Sequence, residues 1–367
     1  MIKQRLKQLA KDEADHLFTL KPKVRLWYVG VVAALTIAST IFFGALFGEL
    51  PTGVLASLGA MIFLNQPASG NVGQRQKLLF LLGIVMVSSF SLGLVAYNLP
   101  IIRMPLFAFI CFSMVIMGRY LRLLPPGGMF ILMASVIAIF MPVGWAEMPA
   151  KIAVVAAGSL YAWLVSLFYN LWIVRPDSKP VATNYRYERG LLTESIIVSA
   201  FVVLALEVAL WLDMPYPYWV PVSSYIIMQG MQLRTMWIKQ LHRILGTAIG
   251  VVVAWFLLSL SLSEIGVAVA IFMMFVWIET IITRHYALAV IMITPLTIFI
   301  AEYGGGSPEL SSAASGAYQA IVQARFLDTL LGCVIALLGG VVMHSTWLRK
   351  PLVTLEAKLF KKYASSN

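Results

Sequence analysis

Charge is what this sequence has least of. Asp, Glu, Lys and Arg make up 12% of its 367 residues, while 60% are hydrophobic. An ordinary soluble domain is about 25% charged and about 45–50% apolar, so a water-soluble enzyme of this size is excluded. Cysteine is nearly absent: Cys111 and Cys333 both lie inside apolar runs, and no disulfide framework is implied. Four scattered histidines give no metal-ligand spacing. No nucleophile and base pair, HExxH helix or carboxylate dyad stands at catalytic spacing. The expectation is a chain with no catalytic residues, no metal and no cofactor.

What the chain does have is one apolar run after another. At about 20 residues per spanning helix there is room for ten to twelve helices and none for a separate catalytic domain. We read twelve spans, near residues 26–48, 51–64, 78–98, 104–118, 127–143, 152–174, 191–212, 219–231, 244–262, 265–282, 286–302 and 322–347. The fold class is therefore all-α and integral to the membrane, with the lipid bilayer as its first partner. The formal charge of +11 is dispersed in short pieces between these runs rather than gathered on one basic face, which argues against nucleic acid. With the N-terminus inside, only Arg103, Lys151 and Arg325 of the 27 Lys and Arg fall on the outer side. Because Lys and Arg favour the cytoplasmic side, both termini are expected to be cytoplasmic. Residues 1–25 are too charged for a cleaved signal peptide and read as a cytoplasmic amphipathic arm; residues 348–367 read as a cytoplasmic tail.

The polar segment RPDSKPVATNYRYERG, residues 175–190, is read as a cytoplasmic linker between 26–174 and 191–347. Six spans on each side give two parallel six-helix repeats. Pro51 and Pro221 open the second and eighth spans, 170 positions apart, and both spans are short, broken by Asn65, Gln66 and Pro67 in one half and by Gln229 and Gly230 in the other. Short, interrupted segments at matching places in two halves point to a transport site; a helix tilted or lying shallow in the interface would read the same way.

Two frames of eight residues stand out in the second half: Arg243-Ile-Leu-Gly246-Thr247-Ala-Ile-Gly250 and Arg325-Phe-Leu-Asp328-Thr329-Leu-Leu-Gly332. They recur in degraded form at Gln76 to Gly83 and at Lys151 to Gly158, with offsets of 167 and 174. Residues three apart share a helix face, so Arg325 and Asp328 are expected to pair, with Thr329 beside them. Ionisable groups at membrane depth are expensive and tend to have a use; Glu207, Glu279, Arg243, Arg325 and Asp328 are the candidates. In one reading Arg325 or Arg243 holds a substrate carboxylate by forked hydrogen bonds, and Asp328 competes for Arg325 until it is protonated. In the other, Arg325 and Asp328 lock helices together, and Arg243, close to His242, Lys239 and Arg234, is a positive-inside anchor. Glu207 is either a proton acceptor or a hydrogen-bonded carboxyl near the interface, and Glu279 pairs at the interface near Arg284. Tyr216, Tyr218 and Trp219 read as an aromatic belt or as a stacking surface for an aromatic substrate. Gly246 and Gly250, and Gly332, Ala336 and Gly340, have the small-x-x-x-small spacing of closely packed helices. Residues 302–319, rich in Gly and Ser, read as a mobile outer loop.

Together the two arginine frames resemble the fusaric acid resistance family, whose aromatic carboxylic acid exporters carry an Arg-x-x-Gly-Thr-x-x-Gly and an Arg-x-x-Asp-Thr-x-x-Gly element in each membrane repeat. Tyr218-Trp219-Val220-Pro221 is similar to that family's aromatic-Trp-x-Pro stretch. The likeness covers residues 216–250 and 325–340 well and the first half weakly. It departs from the family in lacking a large cytoplasmic domain between the halves and in having lost the Asp, the Thr and one Arg from the first-half frames. A more distant likeness is to the plant aluminium-activated malate channels, which have six spans per subunit and pair as dimers. The resemblance implies efflux of small organic anions, aromatic or hydrophobic carboxylic acids, across a bacterial inner membrane, often with a periplasmic adaptor protein; a homodimer is a family-level expectation. It directs substrate contact to Arg243, Arg325, Trp219, Tyr218, Thr247 and Thr329, and proton coupling to Asp328 and Glu207. The expected protein is thus a multi-pass, proton-driven exporter. Its rivals are an anion channel, which would keep the buried arginines without needing a titrating Asp328, and a non-transporting scaffold of envelope machinery.

Overall fold

The structure is a computed structural model that describes residues 27–67, 69–123, 126–173, 190–229, 233–304 and 315–359. The expected N-terminal arm, nearly all of the linker, the centre of the 302–319 loop and the end of the tail lie outside these residues.

The described residues form helices and no strand. In the first half these are α1 (Trp27–Leu46), α2 (Leu50–Ala60, continued by a tight turn Met61–Asn65), α3 (Val72–Asn98), α4 (Arg103–Tyr120), α5 (Met129–Phe140) and α6 (Met148–Phe168). In the second half they are α7 (Leu191–Trp211), α8 (Trp219–Met228), α9 (Leu233–Ser259), α10 (Glu264–Ile281), α11 (Tyr286–Gly304) and α12 (Ser315–His344), followed by α13 (Thr346–Leu359). Local sequence sets several of the ends. Asn71 and Gln74 form a capping box at the start of α3, each side chain accepting from the other's backbone N–H at 2.8 and 3.2 Å. Ser263 caps α10 by accepting from Gly266 N–H at 3.2 Å. Prolines near the first positions open α2 and α6. The N-terminus of α7 is capped from a distance: the Glu356 carboxylate of α13 accepts from the N–H groups of Gly190, Leu192 and Thr193 at 3.0–3.3 Å, favourable against the positive end of a helix. Glu194 in the first turn of α7 pairs with Arg119 and Arg349, tying α4, α7 and α13 at one end of the bundle.

Twelve apolar helices are present where twelve were read, yet twelve full spans are not. Among the described residues eight helices are long and apolar enough to cross a membrane. The other four, Leu50–Asn65, Met129–Phe140, Trp219–Met228 and Tyr286–Ala301, are shorter. At 1.5 Å per residue the ten residues of α8 reach about 15 Å, half of a hydrocarbon core of about 30 Å. Composition cannot separate the two kinds, because a short helix wholly enclosed by protein is as apolar as one that faces lipid. Enclosure is what the structure provides: all ten residues of α8 are buried, as is the run Ile131–Ile139 of α5.

The packing repeats along the chain. α2 lies on α6 and α8 on α12; α3 lies on α5 and α6, as α9 does on α11 and α12. Between the halves α1 packs on α10 and α4 on α7, while α2 meets α11 and α5 meets α8. Renumbering each helix six places on turns one contact of each set into the other: α2–α6 into α8–α12, α3–α5 into α9–α11, and α1–α10 and α2–α11, counted round the twelve, into α7–α4 and α8–α5. The close approaches fall on the glycines of the frames. A Cβ at Gly332 would lie 2.5 Å from the Val220 carbonyl oxygen and 2.7 Å from Ser223 Cβ, and one at Gly158 would collide with the Ala56 carbonyl. We expect Gly332→Val to lower the thermal midpoint of the detergent-purified protein by an amount corresponding to about 1–3 kcal/mol. Leu327→Val, on the exposed face of the same helix, is expected to leave it within error. Equal midpoints for Gly332→Val and the parent would contradict the close contact.

Candidate functional site

Short α8 is the axis of the site, and α9, α11 and α12 bring side chains to it. Arg325 of α12 lies with its guanidinium carbon 3.9 Å from the centre of the Trp219 ring and donates from Nη2 to Thr297 Oγ1 at 3.2 Å. Thr297 in turn donates to the Thr294 carbonyl at 3.0 Å, which orients its oxygen as an acceptor beyond the helix-interior Pro295 of α11. Arg243 of α9 donates from Nη2 to Ser223 Oγ at 2.9 Å and from Nη1 to the Tyr286 hydroxyl at 3.2 Å. Lys239, one turn earlier on α9, donates to the Ile226 carbonyl at 2.7 Å and stands 5.5 Å from the centre of the Tyr286 ring.

Trp219, Ser223 and Ile226 are spaced i, i+4 and i+7, so they occupy one face of α8. Arg325 and Arg243 meet the first two on that face, about 6 Å apart along the axis at a rise of 1.5 Å per residue, and Lys239 continues the column at the C-terminal end of the helix, where it bonds the Ile226 main-chain carbonyl. Arg243 is 1% exposed and Arg325 3%. Their hydrogen-bonding capacity is far from used. The Nε of Arg243, the Nε and Nη1 of Arg325 and Ser224 Oγ are buried without a hydrogen-bond partner. A buried donor or acceptor left unsatisfied costs about 1–3 kcal/mol, more if charged, so these groups fit a site built to accept an anion from outside the chain.

The expected ion pair between Arg325 and Asp328 is corrected here. Asp328 is fully buried and neither of its carboxylate oxygens has a hydrogen-bond partner; Arg325 lies on the Trp219 ring and reaches Thr297 instead. A planar, weakly hydrated guanidinium stacks well on an indole face, and that contact, made across helices, outweighs the intrahelical neighbour. Shared helix face gave proximity; side-chain torsions decided the partner. The belt reading of Trp219 is corrected too, since Trp219 is 3% exposed beneath Arg325.

Tyr218 lies 5.1 Å from Trp219, ring centre to ring centre. Thr247 is buried one turn beyond Arg243, and Thr329 donates to the Arg325 carbonyl at 2.9 Å, so its hydroxyl proton is spent within α12. Glu207 is not brought to the cluster, because it sits on the exposed face of α7. Glu279 is buried on α10 where that helix crosses Gly30 of α1. Ser223, Tyr286 and Thr297 were not singled out from the sequence, and Lys239 was read only as an anchor. Its four-residue spacing from Arg243, which puts both on one face of a helix, was the available signal; Thr297 and Tyr286 carry none. Among the described residues no group of three or more His, Cys, Asp or Glu could hold a metal ion.

The first half answers differently at its own polar positions. Gln66 donates to Asn170 Oδ1 at 2.8 Å and accepts from Ser166 at 2.7 Å; Gln76 donates to Ser166 at 3.0 Å; Arg75 donates to Asn170 Oδ1 at 3.1 Å and to the Gly70 carbonyl at 3.0 Å. This network fastens the segments around α2, α3 and α6, with Gln76 Oε1 left as a buried acceptor without a partner. Spare capacity for an anion is concentrated in the second half.

Residues 204–339, which contain all eight predicted site residues, match the family model described as fusaric acid resistance protein-like. The uncharacterized membrane protein YvaC of Bacillus subtilis (strain 168) is 30% identical over 138 residues, which is 38% of this chain and 21% of that protein. The match thus spans about a fifth of the relative's length. No solved structure matches. The likeness to the fusaric acid resistance family expected from the two arginine frames is found, and it lies over residues 204–339.

Proposed function

We propose that this protein exports small organic carboxylates, aromatic ones in particular, across a bacterial inner membrane, with both termini cytoplasmic. The observation that carries the proposal is the column Lys239, Arg243, Arg325 along α8, whose buried donors are unfilled beside an unpartnered Asp328. The charge asymmetry of the loops supports the orientation and the bacterial membrane relative supports the compartment. Residues 26–174 and 191–347 act as two repeats around the site, between the terminal arm, the linker and the tail; the recurrence of helix contacts six helices on supports this.

In this reading a carboxylate entering from the cytoplasmic end meets Lys239, is handed to Arg243 and then to Arg325. Arg243 offers Nε, and Arg325 offers Nε and Nη1 on a guanidinium held flat by Trp219, a geometry that suits forked hydrogen bonds. Ionised Asp328, three residues from Arg325 and without a hydrogen-bond partner, repels the substrate anion through space rather than by pairing with the arginine. A proton arriving on Asp328 from the outer side removes that repulsion and lets the anion advance. Once the anion has left outward, the proton departs to the cytoplasm and Asp328 is ionised again. The exchange moves one proton in for one anion out.

We expect Arg325→Ala to reduce efflux of benzoate from preloaded proteoliposomes at least tenfold with the protein still inserted; unchanged efflux would remove the column from transport and favour a scaffold. Asp328→Asn, always free of charge, is expected to keep at least a third of the efflux while losing its acceleration by acidification of the outer side. An Asp328→Asn protein that still responds to the pH gradient would overturn the coupling. An anion channel would follow membrane voltage alone in both the parent and the variant.

A further inference from the structure

The site described above ends at Trp219, but the aromatic contact does not. Trp219 continues to Tyr218 at 5.1 Å, Tyr218 to Phe140 at 6.0 Å, and the Phe140 ring lies 5.8 Å beneath the guanidinium carbon of Arg103. Tyr216 meets Tyr218 edge-on at 6.0 Å with the rings at 88°. One run of rings thus has a cation at each end, Arg325 inside and Arg103 outside. Arg103 opens α4 and Phe140 closes α5, so the outer cation and its ring come from the first half, beyond the stretch that matches the family model. Their end of the bundle is the outer one in the topology given above, since Asn98 donates to the Val143 carbonyl there at 2.9 Å while Arg119 and Glu194 pair at the opposite end. Arg103, Phe140, Tyr216 and Tyr218 are each partly exposed, and the Nε of Arg103 is buried without an acceptor. None of the described carboxylates pairs with Arg103.

We infer that Arg103, Phe140, Tyr216 and Tyr218 form a second, outer subsite for a planar aromatic monocarboxylate, the position it occupies after leaving Arg325 and before release. This rests on the export reading but uses residues that the reading does not. The chemistry selects the ligand class. Aromatic pairs prefer tilted or edge-to-face arrangements at 4.5–7 Å between centres, and the rings here are set at 43°, 53° and 88° to one another, the geometry in which an added aromatic ring would pair with them. Arg103, partly exposed, meets one carboxylate. An aliphatic acid of the same charge satisfies the cation and wastes the rings.

The test uses the full chain in nanodiscs, open on both faces, with benzoate and acetate as probes and stoichiometry read by equilibrium binding. We expect two benzoate equivalents per chain. Arg103→Ala should lose one of them, Arg325→Ala should lose the other, and Phe140→Leu, which keeps apolar volume but no ring, should weaken the Arg103-dependent equivalent at least fivefold without altering acetate binding. Wild-type stoichiometry and affinity in both Arg103→Ala and Phe140→Leu, or a single equivalent in the parent that Arg103→Ala leaves intact, would overturn the outer subsite. Retention of both equivalents in Arg325→Ala would instead strike the export reading, so the two failures are told apart.

Discussion

A guanidinium enclosed by apolar helices with two of its three nitrogens lacking an acceptor is the constraint on which the rest of this structure turns. Burying a charge without compensation costs several kcal/mol at membrane depth by insertion scales, and Arg325 recovers only part of that from the Trp219 face and one hydroxyl. Evolution removes such groups cheaply, by Leu or Met of similar volume. Where one is kept, and a second arginine and a lysine stand in line with it along one buried helix, the missing partner has to come from elsewhere. In the function proposed above, a passing carboxylate supplies that partner.

The architecture follows from keeping this column dry of lipid yet reachable. Long helices can face the bilayer; helices of ten or twelve residues cannot satisfy a bilayer's thickness and are placed inside. Interior α8 keeps Ser223 and its Arg243 partner enclosed by protein, as the proposed transport requires. Glycines at Gly158 and Gly332 let α6 and α12 press against the backbones of α2 and α8, and Gly332 sits two turns beyond Arg325 on the same helix, so the packing that seats α12 also sets the arginine's position. The two halves have divided the labour. The first links Gln66, Arg75, Gln76, Ser166 and Asn170 to one another; the second holds most of the unfilled donors, with Arg103 Nε the exception in the first.

Much of this was legible in the residues. Twelve apolar segments, the two arginine frames and the burial of Arg325 and Asp328 could be read from periodicity and from the cost of charge in oil; the burial of Trp219 could not, because an aromatic at a span's start reads equally as an interfacial belt. The number of true spans could not, because hydropathy measures how apolar a segment is and not whether lipid or protein surrounds it. Nor could the partner of Arg325: Asp328 three residues on was the obvious neighbour, but Trp219 is more than a hundred positions away in the chain, and only the fold brings it underneath. Glu207 misled for the opposite reason. An acidic residue inside an apolar run looks buried in sequence, whereas in α7 it lies on the outward face of the helix.

The most direct test of the central claim is to see the anion. Crystals of the protein soaked with 4-iodobenzoate would reveal the iodine by anomalous scattering and the carboxylate by ordinary density. We expect the ligand inside the bundle, its carboxylate within hydrogen-bonding reach of Arg325 or Arg243. Ligand confined to the lipid-facing surface at saturating concentration, with the column of cations empty, would contradict the claim that these arginines exist to hold a passing carboxylate.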